Sequence, residues 1–379
     1  MISYIFQMIF LAFSLFSISI IIIMILRNMC ATKKQWLALF LPILLLFMTI
    51  AYRFDFNANF TSDLNRWFQD FVGLRRYGFD YEMRYADEFS WFWRVISYVF
   101  AHISNLHMFP AFSIAVDYAI FFYILADVAG EKRLKAYEVL CCFVIRLAFL
   151  PLIMSVSACR NVLAYAFFSL GYYIYYKQGL KNPFVYVWMI LGVLTHSTVF
   201  LAIVVFALSL IAQKYRKTVV LFTLVGIAFV VVIAPMLADS TNDMFIYFGE
   251  RWDMYIDNPN SYEVIKARRI VRALLPLLVV VFVWYMGKES SIQKRKTSYI
   301  VSNMSATVGV YAFMPELFLR MCYPTAMLFP ILWGELRSSE WGYPEKRSVY
   351  VFCLITITVL GFISTLGLWF TEIYWFFTI

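Results

Sequence analysis

The sequence predicts an all-α, polytopic membrane protein, and three observations carry that prediction. Apolar runs recur at close to the ~20 residues a helix needs to cross ~30 Å of hydrocarbon. Only 15% of the 379 residues are charged, where a soluble chain carries roughly 25%. Nearly all lysines sit in a few short connections between the runs, which is how a positive-inside bias looks. A membrane β-barrel would instead show ~10-residue alternating segments, and these are missing from the pattern.

In chain order, the first run spans about 2–26 and the second about 36–52. The first is too long for a cleaved signal and lacks its basic front, so it is expected to remain as an anchor. A polar stretch from Arg53 to Arg94 follows, and then an aromatic stretch, Phe89–Leu106, which reads as an interfacial or re-entrant helix. Further spans are expected near 109–126, 137–155 and 161–176. From Phe184 to Ala212 two half-length runs flank Thr195-His196-Ser197, with lysines at both outer ends, so a short-helix hairpin turning near His196 is expected. Spans near 218–237, 270–286, 299–314, 317–333 and 349–370 complete the pattern. The expected architecture is a single integral membrane domain over 1–379, with about ten full spans plus the hairpin.

Orientation follows from the connections. With the loop after the first run placed in the cytoplasm, loops 27–34, 128–136, 177–182, 213–217, 287–297 and 335–347 all fall inside, and they hold twelve of the thirteen lysines. Lys266 alone falls outside. Two long loops, about 53–108 and 238–269, then lie outside with both chain termini, which places the protein in a cytoplasmic membrane. The net charge of +9 has the same source and does not point to nucleic acid. The six cysteines show no metal-ligand spacing and no secreted disulfide framework. There is no DxD pair, no HExxH and no glycine-rich phosphate loop, so neither metal nor nucleotide cofactor is expected.

The outer loops are poor in lysine yet keep arginine: Arg53, Arg66, Arg75, Arg76, Arg84, Arg94, Arg251, Arg268 and Arg269. A guanidinium offers a planar fork of donors matched to phosphate oxygens. The plain alternative is pairing with loop carboxylates such as Asp80, Glu82, Asp87 and Glu88. Charge in the membrane interior is costly, so Arg146, Arg160, Arg272 and Arg320 are candidates in their own right. Arg160 alternatively snorkels at the interface. Arg320 lies four residues after Glu316, the spacing of a helical ion pair. Arg146 is near mid-span, and Asp117 is its expected structural partner. His196 is either a turn residue or a proton acceptor in a cavity. Trp67, Tyr77, Tyr81, Tyr85, Trp91 and Trp93 offer flat faces for sugar rings or anchor the loop at the headgroups.

Four segments taken together resemble a known family. RRYGFDYEMRY with Glu88-Phe89, SACRNVLAYAFFSLGYYIYYKQ, LGVLTHSTVFLAIVVF and ELFLRMCY stand in the order and approximate spacing of EpsG/Wzy-type polysaccharide polymerases, from about residue 40 to residue 335. One departure is Arg84, where the family often has a tyrosine four residues after the aspartate. The resemblance implies a membrane glycosyltransferase, acting without metal, that joins undecaprenyl-diphosphate-linked oligosaccharide repeats into O-antigen or exopolysaccharide. It implies substrate contacts from Arg76, Arg160, Arg272, Glu316, Arg320 and Tyr323, and a base among His196, Asp80 and Glu88. A chain-length regulator is a candidate partner. The competing class is a flippase of lipid-linked oligosaccharide, which would more often show two related halves.

Overall fold

The computed structural model describes residues 2–53, 63–83, 90–103, 105–211, 292–311 and 315–338, with a few single positions in 221–228 and 354–359. The expected spans near 270–286 and the loop 238–269, with Arg272, lie outside the described residues, as does Glu88. Nearly all of the expected spans near 218–237 and 349–370 lie outside them too. Among the described residues every regular element is a helix. Three helices are long and apolar enough to cross a bilayer: Met8–Leu26, Lys33–Tyr52 and Met108–Glu131. The contacts fall into two compact units, one built on Met1–Phe200 with Met327–Glu340, the other on Leu201–Ala326.

In the first unit, α1 (Ile2–Leu26) and α2 (Lys33–Tyr52) form an adjacent pair. The α2 start is fixed by a capping box, in which Gln35 N–H donates to Thr32 Oγ1 and Thr32 N–H donates back to the Gln35 carboxamide. Ser14 of α1 donates to the Pro42 carbonyl of α2 at 2.9 Å, so a polar group inside the bilayer region is satisfied across the pair. α5 (Met108–Glu131) packs along α2 through stacked rings, with Phe40 and Phe122 centroids 4.6 Å apart.

Between α2 and α5 the sequence predicts a polar loop, and the structure differs. Asp63–Tyr77 is a helix, α3. Its buried side chains Leu64, Trp67, Asp70, Phe71 and Leu74 recur every three or four residues, one stripe of a helix. α4 (Trp91–Ala101) is a short helix within the stretch expected to be interfacial or re-entrant. Its 11 residues cover only about 17 Å, too little to span. α4 packs on α3, and Arg75 at the end of α3 donates to the carbonyls of Ala101 at 2.6 Å and Ile103 at 3.0 Å. Those carbonyls close a helix that has no further turn to satisfy them.

The expected span at 137–155 is two helices, α6 (Ala136–Phe149) and α7 (Leu152–Ser157). Pro151 explains the break: the residue before a proline is pushed out of the helical region, and Leu150 has φ −141° and ψ 87°. α8 (Cys159–Gln178) then packs antiparallel to α9 (Phe184–Thr195). Glycines permit the approach. A Cβ on Gly171 would sit 2.9 Å from the Val185 carbonyl, and one on Gly192 would sit 2.9 Å from the Ala164 carbonyl. The helical path breaks at His196, extended at φ −154° and ψ 123°, as the sequence leads one to expect, and α10 (Val199–Ile211) follows.

Four of the lysine-bearing connections meet at one end of this unit. Asp127 pairs with Lys33 at 2.6 Å and with Lys177 at 2.7 Å. Lys132 pairs with Glu335 at 3.0 Å, and Arg337 with Glu138 at 3.3 Å. Ala136 N–H donates to the Met29 carbonyl at 3.0 Å. Loops that share a membrane side must share a bundle end, and these do.

In the second unit, α11 (Ile292–Tyr311) begins seven residues earlier than the predicted span, inside the basic connection. Its Asn303 donates to the Met321 carbonyl at 2.7 Å and to Thr325 Oγ1 at 2.8 Å, both on α12 (Pro315–Ser338). Six of the α11 polar side chains, from Thr297 to Thr307, are buried there; Ser302, Ser305 and Thr307 each donate to the carbonyl four residues back, and Ser298 donates to the Ser209 carbonyl at 3.2 Å.

Candidate functional site

Arg160 opens α8 and is 5% exposed, so it is buried rather than snorkelling at the interface. Its Nε–H donates to the Thr195 carbonyl at 3.1 Å, and its Nη2 donates to Ser90 Oγ. One face of the guanidinium lies 5.6 Å from the Trp67 ring centroid. Three elements therefore hold one cation: the stripe of α3, the residue before α4, and the C-terminal end of α9. The contact with Thr195 has a simple cause. A helix ends with carbonyls that lack intrahelical partners and carry partial negative charge, and a guanidinium satisfies both.

His196 is the residue after that carbonyl. It is 6% exposed. Its Nδ1 accepts the backbone N–H of Thr198 at 3.3 Å, with Thr198 Oγ1 at 3.4 Å. Tyr165, one and a half turns along α8 from Arg160, donates to Thr198 at 3.4 Å. Arg160 and His196 lie 36 positions apart in sequence and are brought to one peptide in space. The cluster sits at the end of α8 opposite the lysines. Seventeen residues separate Arg160 from Lys177, roughly 25 Å of helix.

The other expected site residues fall elsewhere. Arg76 is exposed at the end of α3, with its guanidinium 5.3 Å from the Tyr77 ring. Asp80 is exposed in the turn after Gly78, whose φ of +84° only glycine adopts without strain. Neither is hydrogen-bonded to Arg160 or His196. Arg320 and Tyr323 belong to α12 in the second unit, the first half-buried and the second 6% exposed. The Glu316 side chain, and with it the expected Glu316–Arg320 pair, lies outside the described residues.

The rings offered for sugar stacking divide in two. Trp67 and Trp93 are buried against one another, centroids 4.9 Å apart and edge to face, so they are core and not a platform. Tyr77 and Trp91 are exposed. Ser90, Thr195 and Thr198 complete the cluster without any sequence signal of their own, since their contacts depend on which helix ends meet. Arg146 has the partner expected for it: it is fully buried, paired with Asp117, and bonded to the Leu150 carbonyl at 3.1 Å.

A multi-pass helical membrane protein with a buried arginine–histidine cluster at one bundle end is the class that fold and site define. The chain belongs to the EpsG family, whose model matches residues 36–374. Membership points to a polysaccharide-polymerase type of role, glycosyltransferase-like and set in a membrane. No curated protein and no solved structure matches the chain.

Proposed function

We propose that the protein joins oligosaccharide repeat units carried on undecaprenyl diphosphate, building O-antigen or exopolysaccharide at the outer face of the cytoplasmic membrane. The observation that carries this reading is the meeting of Arg160 and His196 at the Thr195–His196 peptide. The chemistry needs little more than positive charge and a base. A lipid diphosphate is already a good leaving group, so fixed cation beside it stabilises charge as the sugar–phosphate bond breaks. A base takes the proton from the acceptor hydroxyl. Arginine supplies the charge without a metal ion, and Arg160, Arg272 and Arg320 are assigned to the diphosphate. Glu316 and Tyr323 accompany Arg320. Arg76, Asp80 and Glu88 are assigned to the acceptor side, with Asp80, Glu88 and His196 as the candidate bases. The lysine-bearing connections face the cytoplasm in this reading, and both termini face outward.

The test is a deletion strain carrying plasmid copies of the gene. Wild-type protein restores long-chain polysaccharide on a gel, while Arg160→Ala and His196→Ala leave single-repeat product with normal protein levels. Long chains from both variants remove the assignment. Loss of every repeat in the deletion strain, rather than loss of chain length, identifies an export protein instead.

A further inference from the structure

We infer that Tyr77 and Tyr81 form a platform for a pyranose ring of the glycan, a carbohydrate subsite separate from the arginine–histidine cluster. This rests on the polymerase reading above and adds to it the place where sugar, as distinct from diphosphate, is held.

Two glycines build the platform. α3 ends at Gly78, where left-handed backbone (φ +84°) turns the chain back. Gly78 N–H donates to the Leu74 carbonyl at 2.9 Å, and Tyr81 N–H donates to the Gly78 carbonyl at 3.3 Å. The returning chain lays the Tyr81 ring on α3 at Gly73. A Cβ on Gly73 would stand 2.2 Å from Tyr81 Cζ and 2.3 Å from Cε1, so any other residue there would move the ring off the helix. Tyr77, one turn after Gly73, lies alongside. The two ring centroids are 5.8 Å apart, and the rings are within 15° of parallel.

The turn that carries Tyr81 is pinned. Phe79 packs edge to face with Tyr98 of α4, centroids 5.4 Å apart, and Met83 is buried. Burial alternates along 79–83, so Asp80 and Glu82 are both exposed, one on each side of Tyr81 in the chain. Tyr77 is 63% exposed. The Arg76 guanidinium lies 5.3 Å from the Tyr77 ring centroid, farther than the ~4 Å of direct packing, so it borders the ring without sealing it.

The chemistry of this surface selects its occupant. A pyranose presents C–H groups on its faces and hydroxyls around its edge. Aromatic faces take the C–H groups, while carboxylates accept from the hydroxyls and a guanidinium donates to them. Headgroup phosphates fit poorly, because the carboxylates flanking Tyr81 repel them. Position agrees with this choice. Trp67, whose ring faces Arg160, stands ten residues before Tyr77 on the same helix, roughly 15 Å away along its axis. A glycan of several sugars covers that distance, so its reacting end and a remote ring are held at once.

The experiment uses purified full-length protein and, as probe, the phosphate-free oligosaccharide released by mild acid from the strain's own lipid-linked repeat. Binding is read by saturation-transfer NMR and titration, and chain growth on the lipid-linked repeat is followed on a gel in parallel. Tyr77→Ala combined with Tyr81→Ala is expected to weaken oligosaccharide binding by roughly tenfold or more. Tyr77→Phe combined with Tyr81→Phe is expected to stay within about threefold of wild type, because both ring faces are kept. Gly73→Ala is expected to weaken binding as Tyr81→Ala does, since the added methyl displaces that ring. Arg160→Ala is expected to stop chain growth yet still bind the free oligosaccharide, because that cation serves the diphosphate. Wild-type affinity in the double alanine variant, a phenylalanine pair as weak as the alanine pair, or no binding by wild-type protein that does extend chains would each overturn the inference and leave the polymerase reading intact. Absence of chain growth by the wild-type protein would instead remove the reading on which it rests.

Discussion

Arg146 sits fully buried in the helix core, and its charge is answered there by Asp117 on the preceding helix, α5. The guanidinium also lies 5.1 Å from the Tyr118 ring centroid. A pair like this adds little net stability, but breaking one half leaves an uncompensated charge in a medium that cannot solvate it. Asp117→Asn should therefore lower the stability of the detergent-solubilised protein by roughly 3–5 kcal/mol, measured by thermal unfolding. The double variant Asp117→Leu with Arg146→Met should recover most of the loss, because no buried charge is left. At this scale the sequence was partly readable. A mid-span arginine demands a counter-charge, and Asp117 is a carboxylate in a neighbouring apolar run. The partners of Arg160 and Arg75 were not readable. Both guanidinium groups close helix C-termini through backbone carbonyls, which every residue type carries equally.

The α8–α9 pair sets the position of the whole cluster. Gly192 meets the Ala164 carbonyl and Val199 at distances that leave no room for a side chain. Gly192→Val should push the end of α9 away from α8, at a cost of about 1–3 kcal/mol for an overpacked contact. The Thr195 carbonyl would then leave Arg160. The expected result is full loss of long-chain polysaccharide with protein still present in the membrane, and a smaller loss for Gly192→Ala. The break at His196 was legible, because two half-length apolar runs flank a polar triplet. α3 was not. Its apolar stripe of Leu64, Trp67, Phe71 and Leu74 is diluted by Arg66, Gln69, Asp70 and Arg75, so the stretch reads as a polar loop until α4 and α7 are present to cover the stripe. The α6–α7 break is a further case, since Pro151 lies inside an otherwise continuous apolar run and its effect is local backbone geometry.

Lysine placement made the arrangement of the first unit legible before any contact was known. Loops 27–34, 128–136 and 177–182 hold six of the thirteen lysines, and in the structure they meet through Asp127, Glu131, Glu138 and Glu335. Sidedness gives a direct test on intact cells. Cys30 is a native exposed thiol at the lysine-bearing end, while Tyr77, at the other end of the unit, is 63% exposed. A membrane-impermeant maleimide should label Tyr77→Cys in intact cells and reach Cys30 only after permeabilisation.

The central claim, that guanidinium and imidazole groups at the outer bundle end hand sugar from one lipid carrier to another, is tested most directly in sealed proteoliposomes. Purified protein is incubated with a lipid-linked repeat unit and a metal chelator, and the products are separated by chain length while leaflet exposure of the lipid is followed in parallel. The proposal predicts a ladder of growing chains from wild-type protein and single repeats alone from Arg160→Ala. Repeat units that cross to the other leaflet without ever lengthening would contradict it.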